Sequence, residues 1–230
     1  MGLAALRGEP RILPGPMDVL PRLGHELASG ELLFHVGATL GRVVAAFVLA
    51  MSIGTALGLL MGRHAGVDRW VDPWLVVFLN LPALVVIVLC YLWIGLSEAA
   101  AVAAVAINKI PMVTAMLREG ARALDPSLDA MARVFRMGRL ARLRHVVIPQ
   151  LAPHLASTAR SGLALIWKIV LVVEFLGRSS GVGFKIHLYF QLFDVRMVLT
   201  YALAFVIVML AIETLLMQPV ERRARAWRDA

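Results

Sequence analysis

What most constrains this chain is a series of apolar runs too long for the interior of a soluble domain. Val43 to Gly62 is free of charge, and so is Trp74 to Ser97. Ala99 to Leu117 is interrupted only by Lys109, about Leu155 to Gly177 holds Lys168 and Glu174, and about Met197 to Val220 holds Glu213 near its end. A helix needs about 20 mostly apolar residues to cross the hydrocarbon. The pattern therefore predicts an all-α, polytopic helical bundle with about five transmembrane helices. The fourth run is the least apolar, because a central charge costs about 2.5 to 3.5 kcal/mol on insertion scales.

Charge sets orientation. The net charge is +8, from 20 Arg and three Lys (Lys109, Lys168, Lys185) against 15 acidic residues. In a soluble protein such a balance suggests nucleic acid. Here a bias of cations toward the cytoplasmic side accounts for it, so lipid and not nucleic acid is the expected contact. Arg63, Arg69, Arg118, Arg122, Arg133, Arg136, Arg139, Arg142, Arg144, Arg222, Arg223, Arg225 and Arg228 fall on one side of the five-span arrangement. That side is predicted to be the cytoplasm. The loop 118–154 and a basic tail, 221–230, then face inward, and residues 1–34 form an extracytoplasmic or interfacial segment. Arg42 reads as a flanking charge before the first span. The membrane domain proper is 35–220.

Packing and breaks are also legible. Ala46, Ala50, Gly54, Gly58 and Gly62 recur every four residues, a ridge that lets another helix approach closely. Pro82 divides the second span and Pro111 the third. Proline frees a carbonyl and kinks a helix, which membranes tolerate where protein or a water-filled path satisfies the backbone.

The loop from Arg118 to His154 is too long for a plain connector and should have structure of its own. In "DPSLDAMARVFRMG" Asp125 can cap a helix, Pro126 suits its first turn and Asp129 complements its dipole. Met131, Val134 and Phe135 form an apolar cluster at i, i+3, i+4. Gly138 reads as the helix breaker, and Pro149 and Pro153 mark entry to the next span. Two readings of the arginine-rich face stand side by side. One is contact with solvent and anionic lipid, the other an apolar ridge that docks in a partner's groove.

Catalytic motifs are absent: no G-x-x-x-x-G-K-[ST], H-E-x-x-H, C-x-x-C or G-x-S-x-G occurs. The six histidines have no metal spacing, and His145 and His154 read as surface groups. "GRSSGVGFKI" fits an anion-binding nest or an extracytoplasmic turn that meets a partner or gates an exit. Lys109, Lys168 and Glu174 are the intramembrane ionisable groups, which are functional candidates by position. Lys109 or Lys168 could line a path and favour an anion, or each could pair with an acid or carbonyl of a neighbouring helix.

The stretch "DPSLDAMARVFRMGRLARLRHVVIPQLAP" resembles the conserved cytoplasmic loop of ABC-importer permeases, in particular the taurine, nitrate and aliphatic-sulfonate branch of the binding-protein-dependent type. "LASGELLFHVGATLGRVVAAF", "VDPWLVVFLNLPALVVIVLCYLWIGLSEA" and "GLALIWKIVLVVEFLGRSSGVGFKI" resemble other segments of the branch, so the likeness spans roughly 27–228. The resemblance implies a permease subunit of an ATP-driven importer in a bacterial inner membrane, with its C-terminus in the cytoplasm. It implies a homodimer served by two ATPase subunits and an extracytoplasmic solute-binding protein. ATP and Mg would be used by the ATPase, and this chain would bind no cofactor and no metal. The substrate would be a small anion such as a sulfonate or nitrate. The alternatives are a stand-alone secondary transporter or channel, or a membrane-embedded enzyme.

The resemblance also assigns a coupling helix. The ATPase interface would comprise Asp129, Met131, Ala132, Arg133, Val134, Phe135, Arg136, Met137 and Gly138, with Pro149 as the loop-ending proline. Three departures stand out. Counted back from Pro149, the family's usual glycine falls on Arg136, while this chain has its glycine at Gly138; a shifted turn is expected. The usual first-position Glu falls on Ala130, beside Asp129. The family's further N-terminal span has no counterpart in 1–34, which leaves either a five-span form or a start site placed too late.

Overall fold

The computed structural model describes residues 14–219. The basic tail predicted at 221–230 and most of Met1 to Pro14 lie outside the described residues, so Arg222, Arg223, Arg225 and Arg228 receive no placement. The described residues are helical throughout. They form α1 (Pro16–Ala28), α2 (Glu31–Arg63), α3 (Ala65–Asn80), α4 (Ala83–Ile94), α5 (Glu98–Arg122), α6 (Pro126–Val134) and α7 (Arg139–Arg142). A π-helical turn, Leu143–Val147, leads into α8 (Ile148–Gly177), followed by α9 (Val182–Gln191) and α10 (Val195–Ile212) with a second π turn, Glu213–Met217.

Among the described residues, three helices are long and apolar enough to cross a membrane: Glu31–Arg63, Glu98–Arg122 and Val195–Met217. The bent pair α3 and α4 can supply a fourth span. The predicted span Trp74 to Ser97 is therefore two helices broken at Leu81 and Pro82. Proline disfavours the α conformation in the residue before it, and Leu81 is extended, with ψ of 125°. Pro111, by contrast, lies inside the uninterrupted α5. The fourth predicted span lies within the 30 residues of α8, at about 1.5 Å each long enough to cross the bilayer.

The first span begins well before Val43. The α2 helix starts at Glu31, straight after Gly30 at φ 82°, a conformation glycine adopts without strain. The extension is buried by its apolar positions. Leu32 belongs to a core with Val182, Met197, Tyr201 and Ala204, against which Leu23, Val36 and Ile186 pack.

The chain divides into two compact units. One comprises the described residues up to Ala46, Ala83–Val105 and Ile166–Glu213, and it contains the core just described. The other comprises Phe47–Pro82, Ala106–Leu165 and the described residues from Thr214 onward. Its core is Val113, Leu117 and Leu151, with Met51, Leu59, Leu124 and Leu155 around them. In this second unit the glycine ridge of α2 lies against α5. A Cβ at Gly54 would come 2.6 Å from Val113 Cβ, at Gly58 2.8 Å from the Thr114 carbonyl oxygen, and at Gly62 2.6 Å from Ala121 Cβ. The backbones meet there only because no side chain intervenes.

Candidate functional site

The residues predicted to form the coupling loop lie in the second unit. Asp125 caps α6, its carboxylate accepting from the Ser127 backbone N–H at 2.7 Å, and Pro126 occupies the first turn. The Asp125 N–H donates to Gln150 Oε1 on α8 at 2.9 Å. Ala132 faces inward and is buried, while Met131, Arg133, Val134, Phe135 and Arg136 are exposed and Met137 is half-buried. Val134, Phe135 and Leu140 are 79%, 74% and 79% exposed. So large an apolar area left open on a charged loop marks a contact surface.

The helix ends in a Schellman turn. The Met137 N–H donates to the Ala132 carbonyl at 2.9 Å and the Arg136 N–H to the Arg133 carbonyl at 3.0 Å. The residue in the left-handed conformation is Arg136, with φ 48°. Gly138 has φ −62° and ψ 157° and serves as N-cap of α7. The expected shift of the turn to the glycine does not occur. The position that the resemblance gives to glycine keeps glycine's backbone conformation with an arginine on it. Pro149 lies in the first turn of α8, directly after the π-helical turn, where the Ile148 N–H bonds the Leu143 carbonyl five residues back.

Asp129 is tied within the chain. Arg142 Nε donates to its Oδ1 at 2.8 Å, Arg63 Nη2 to its Oδ2 at 3.0 Å, and Arg142 Nη2 also bonds Oδ2. The Arg142 bond, ahead of the charge of Arg63, holds the Asp129 carboxyl below the ordinary aspartate range. On α5, Arg118 pairs with Asp68, 3.3 Å away, and with Asp72, while Arg122 bonds Asp68 at 2.5 Å. His154, read from sequence as a surface group, packs on Gly120, where a Cβ would lie 2.8 Å from its ring.

The candidate pathway residues separate. Lys109 is 9% exposed and makes no hydrogen bond or ion pair among the described residues. Lys168, expected to be buried, is exposed. Glu174 is fully buried in the first unit and saturated. Its carboxylate accepts from Thr39 Oγ1 at 2.9 Å, Arg42 Nη1 at 2.6 Å and the Gly183 N–H at 2.9 Å. It is thus a fastening of α8 to α2.

Sequence reasoning missed Arg42. It abuts the apolar run and reads as a flanking charge, yet it lies inside α2 and is 5% exposed. Its guanidinium makes five hydrogen bonds: two to Glu98, one to Glu174, and one each to the Ser180 carbonyl and hydroxyl. Arg178 also bonds Glu98. The glycine-rich turn closes over this cluster. Gly181 has φ 109°, and a Cβ there would collide with the Glu174 carboxylate. Three successive N–H groups are committed internally: Gly181 to His35 Nδ1 at 3.0 Å, Val182 to Thr39 Oγ1 at 2.9 Å, and Gly183 to Glu174. The anion-nest reading of "GRSSGVGFKI" therefore fails, since the chain itself takes up these donors.

The family described as "binding-protein-dependent transport system inner membrane component" matches residues 54–225. A Brucella abortus (strain 2308) protein named as an ABC transporter permease is 27% identical over 95% of this chain and 87% of its own length. An Escherichia coli K12 protein named as an aliphatic sulfonates transport permease, SsuC, is 33% identical over 76% of this chain and 66% of its own. The riboflavin transport system permease RibX of Chloroflexus aurantiacus is 32% identical over 81% and 70%. Among solved structures, an inward-facing MetNI methionine ABC transporter matches with a TM-score of 0.70 at 18% identity, over 84% of this chain and 94% of that one. That likeness shows the fold.

Proposed function

This chain belongs to the binding-protein-dependent transport system inner membrane component family, and on that premise we propose how it works. It is a multi-pass permease of an ABC importer, a transport protein and not an enzyme. The exposed row of Val134, Phe135 and Leu140 carries the reading. It seats in a groove of a separate ATP-hydrolysing subunit, which uses the ATP and Mg. Arg133, Arg136 and Met137 border that contact, and Ala132 and Gly138 shape it from within. Two copies of this chain act with two ATPase subunits. The loop and the C-terminus face the cytoplasm, and a binding protein delivers solute from the other side.

The solute is a small organic or inorganic anion such as a sulfonate or nitrate. Lys109 supports this, because a buried cation without a partner in a membrane protein is costly and marks a site for opposite charge. Lys168, exposed on α8, is the second candidate.

The test is uptake of radiolabelled taurine into proteoliposomes holding the chain with its co-purified ATPase and binding protein. Uptake should require ATP inside the ATPase compartment and should fall when Lys109 is replaced by Met. Unchanged uptake in both Lys109→Met and Lys168→Met would remove the pathway role. Uptake driven by an ion gradient without ATP would instead support a secondary transporter.

A further inference from the structure

Asp129 falls within the docking segment by sequence, yet the structure turns it to another use. Both carboxylate oxygens are held by arginines of the same chain, from two directions. Arg142 grips it with a forked guanidinium, a geometry that fixes orientation as well as distance. Arg63 reaches it from the last residue of α2, a membrane-crossing helix. Among the described residues, this is the only hydrogen bond or ion pair that joins α6 to α2. The other tie of α6 runs from its cap to Gln150 on α8. Below Arg63, another face of the same helix meets α5 along Gly54, Gly58 and Gly62 with almost no intervening atoms.

We propose that Asp129 is a positioning residue that makes the coupling helix and the end of α2 move as one body. A push delivered at Val134 and Phe135 then enters the membrane through α2 and its glycine seam with α5. Without Asp129 it would enter only through the covalent connections of the loop and the Asp125 tie to Gln150 on α8. This rests on the reading that the loop docks on an ATPase.

The experiment uses the complex of the full chain with its co-purifying ATPase. Nitroxide labels are placed at Leu60→Cys on α2 and Leu128→Cys on α6, both exposed positions, with Cys90→Ala removing the native thiol. The distance between them is measured nucleotide-free and after vanadate trapping. With Asp129 present, one narrow distance should be common to both states. With Asp129→Asn the trapped state should shift or broaden while the ATPase stays bound, and Asp129→Glu should restore the single distance. The proposal is overturned if the distance already changes on trapping with Asp129 in place, or if Asp129→Asn behaves as the native chain does. It is also overturned if Asp129→Asn loses the ATPase, which would return the residue to the docking surface. Retention of the ATPase by Phe135→Asp would be the separate failure of the docking reading.

Discussion

Replacing Gly58 by Ala adds one methyl group at the middle of the α2–α5 seam. The new Cβ would stand 2.8 Å from the Thr114 carbonyl oxygen, 2.9 Å from Leu117 Cβ and 3.0 Å from the Arg118 nitrogen. Comfortable separations for such atoms are about 3.5 to 4.0 Å, so the shortfall is on the order of 0.5 to 1 Å. Two of the three neighbours are backbone atoms of α5 and cannot rotate away, so the helices must part. Overpacking of this kind costs about 1 to 3 kcal/mol. Alanine's better helix propensity returns about 1 kcal/mol. The net expectation is a loss of about 1 kcal/mol, seen in detergent as a fall in Tm of about 2 to 4 °C for a chain of this size. Gly41→Ala is the control. It lies in the same helix with nothing within 4 Å of its would-be Cβ, so only the propensity gain of up to about 1 kcal/mol applies and Tm should rise. If Gly58→Ala and Gly41→Ala shift Tm in the same direction, the seam is not close-packed and the reasoning fails.

Arg42→Met should be among the most damaging single changes. It leaves Glu174 buried without its cation, and breaking a buried pair costs about 3 to 5 kcal/mol. Thermal unfolding of Arg42→Met beside Arg42→Met/Glu174→Met would show partial recovery in the double variant; no recovery would contradict the pairing. Arg136→Gly should stabilise the isolated chain by up to about 1 kcal/mol, since the left-handed conformation at φ 48° costs an L residue that much or more. A fall in Tm would contradict this. The Asp129 carboxyl titrates below its unfolded value. Its contribution is therefore full above about pH 4 and is lost as pH falls through the lowered folded value. The stability gap between the native chain and Asp129→Asn should be constant from neutral pH to mildly acidic pH and should close in stronger acid. A gap that widens on acidification would refute the sign.

Much of this architecture is legible because the membrane leaves few options. An uncharged run such as Val43 to Gly62 must be helical, and a four-residue glycine spacing on it must be a contact. The α6 helix can be placed from Asp125 and Pro126, which supply a cap and a first turn locally. What escapes is set by tertiary partners. Arg42 looks like the boundary of a span because nothing in the sequence shows that Glu98, Glu174 and Ser180 will surround it. The first span is called short for the same reason: the helix upstream of Val43 is stabilised by burial of Leu32 and Val36 against residues more than a hundred positions away. Gly138 attracts the turn in a sequence reading because glycine permits it. The backbone instead turns at Arg136, where the Schellman bonds to Ala132 and Arg133 close. Lys168 and Lys109 look alike in sequence, and only the packing exposes one and encloses the other.

The most direct test of the account is a mild-detergent pull-down of the tagged chain from its native membranes, beside a Phe135→Asp variant, with the bound proteins identified by mass spectrometry. The account predicts that a phosphate-loop ATPase accompanies the native chain and is lost from the variant while the variant's own Tm holds. An ATPase that remains bound to Phe135→Asp, or that never appears with the native chain under conditions preserving other membrane complexes, would contradict it.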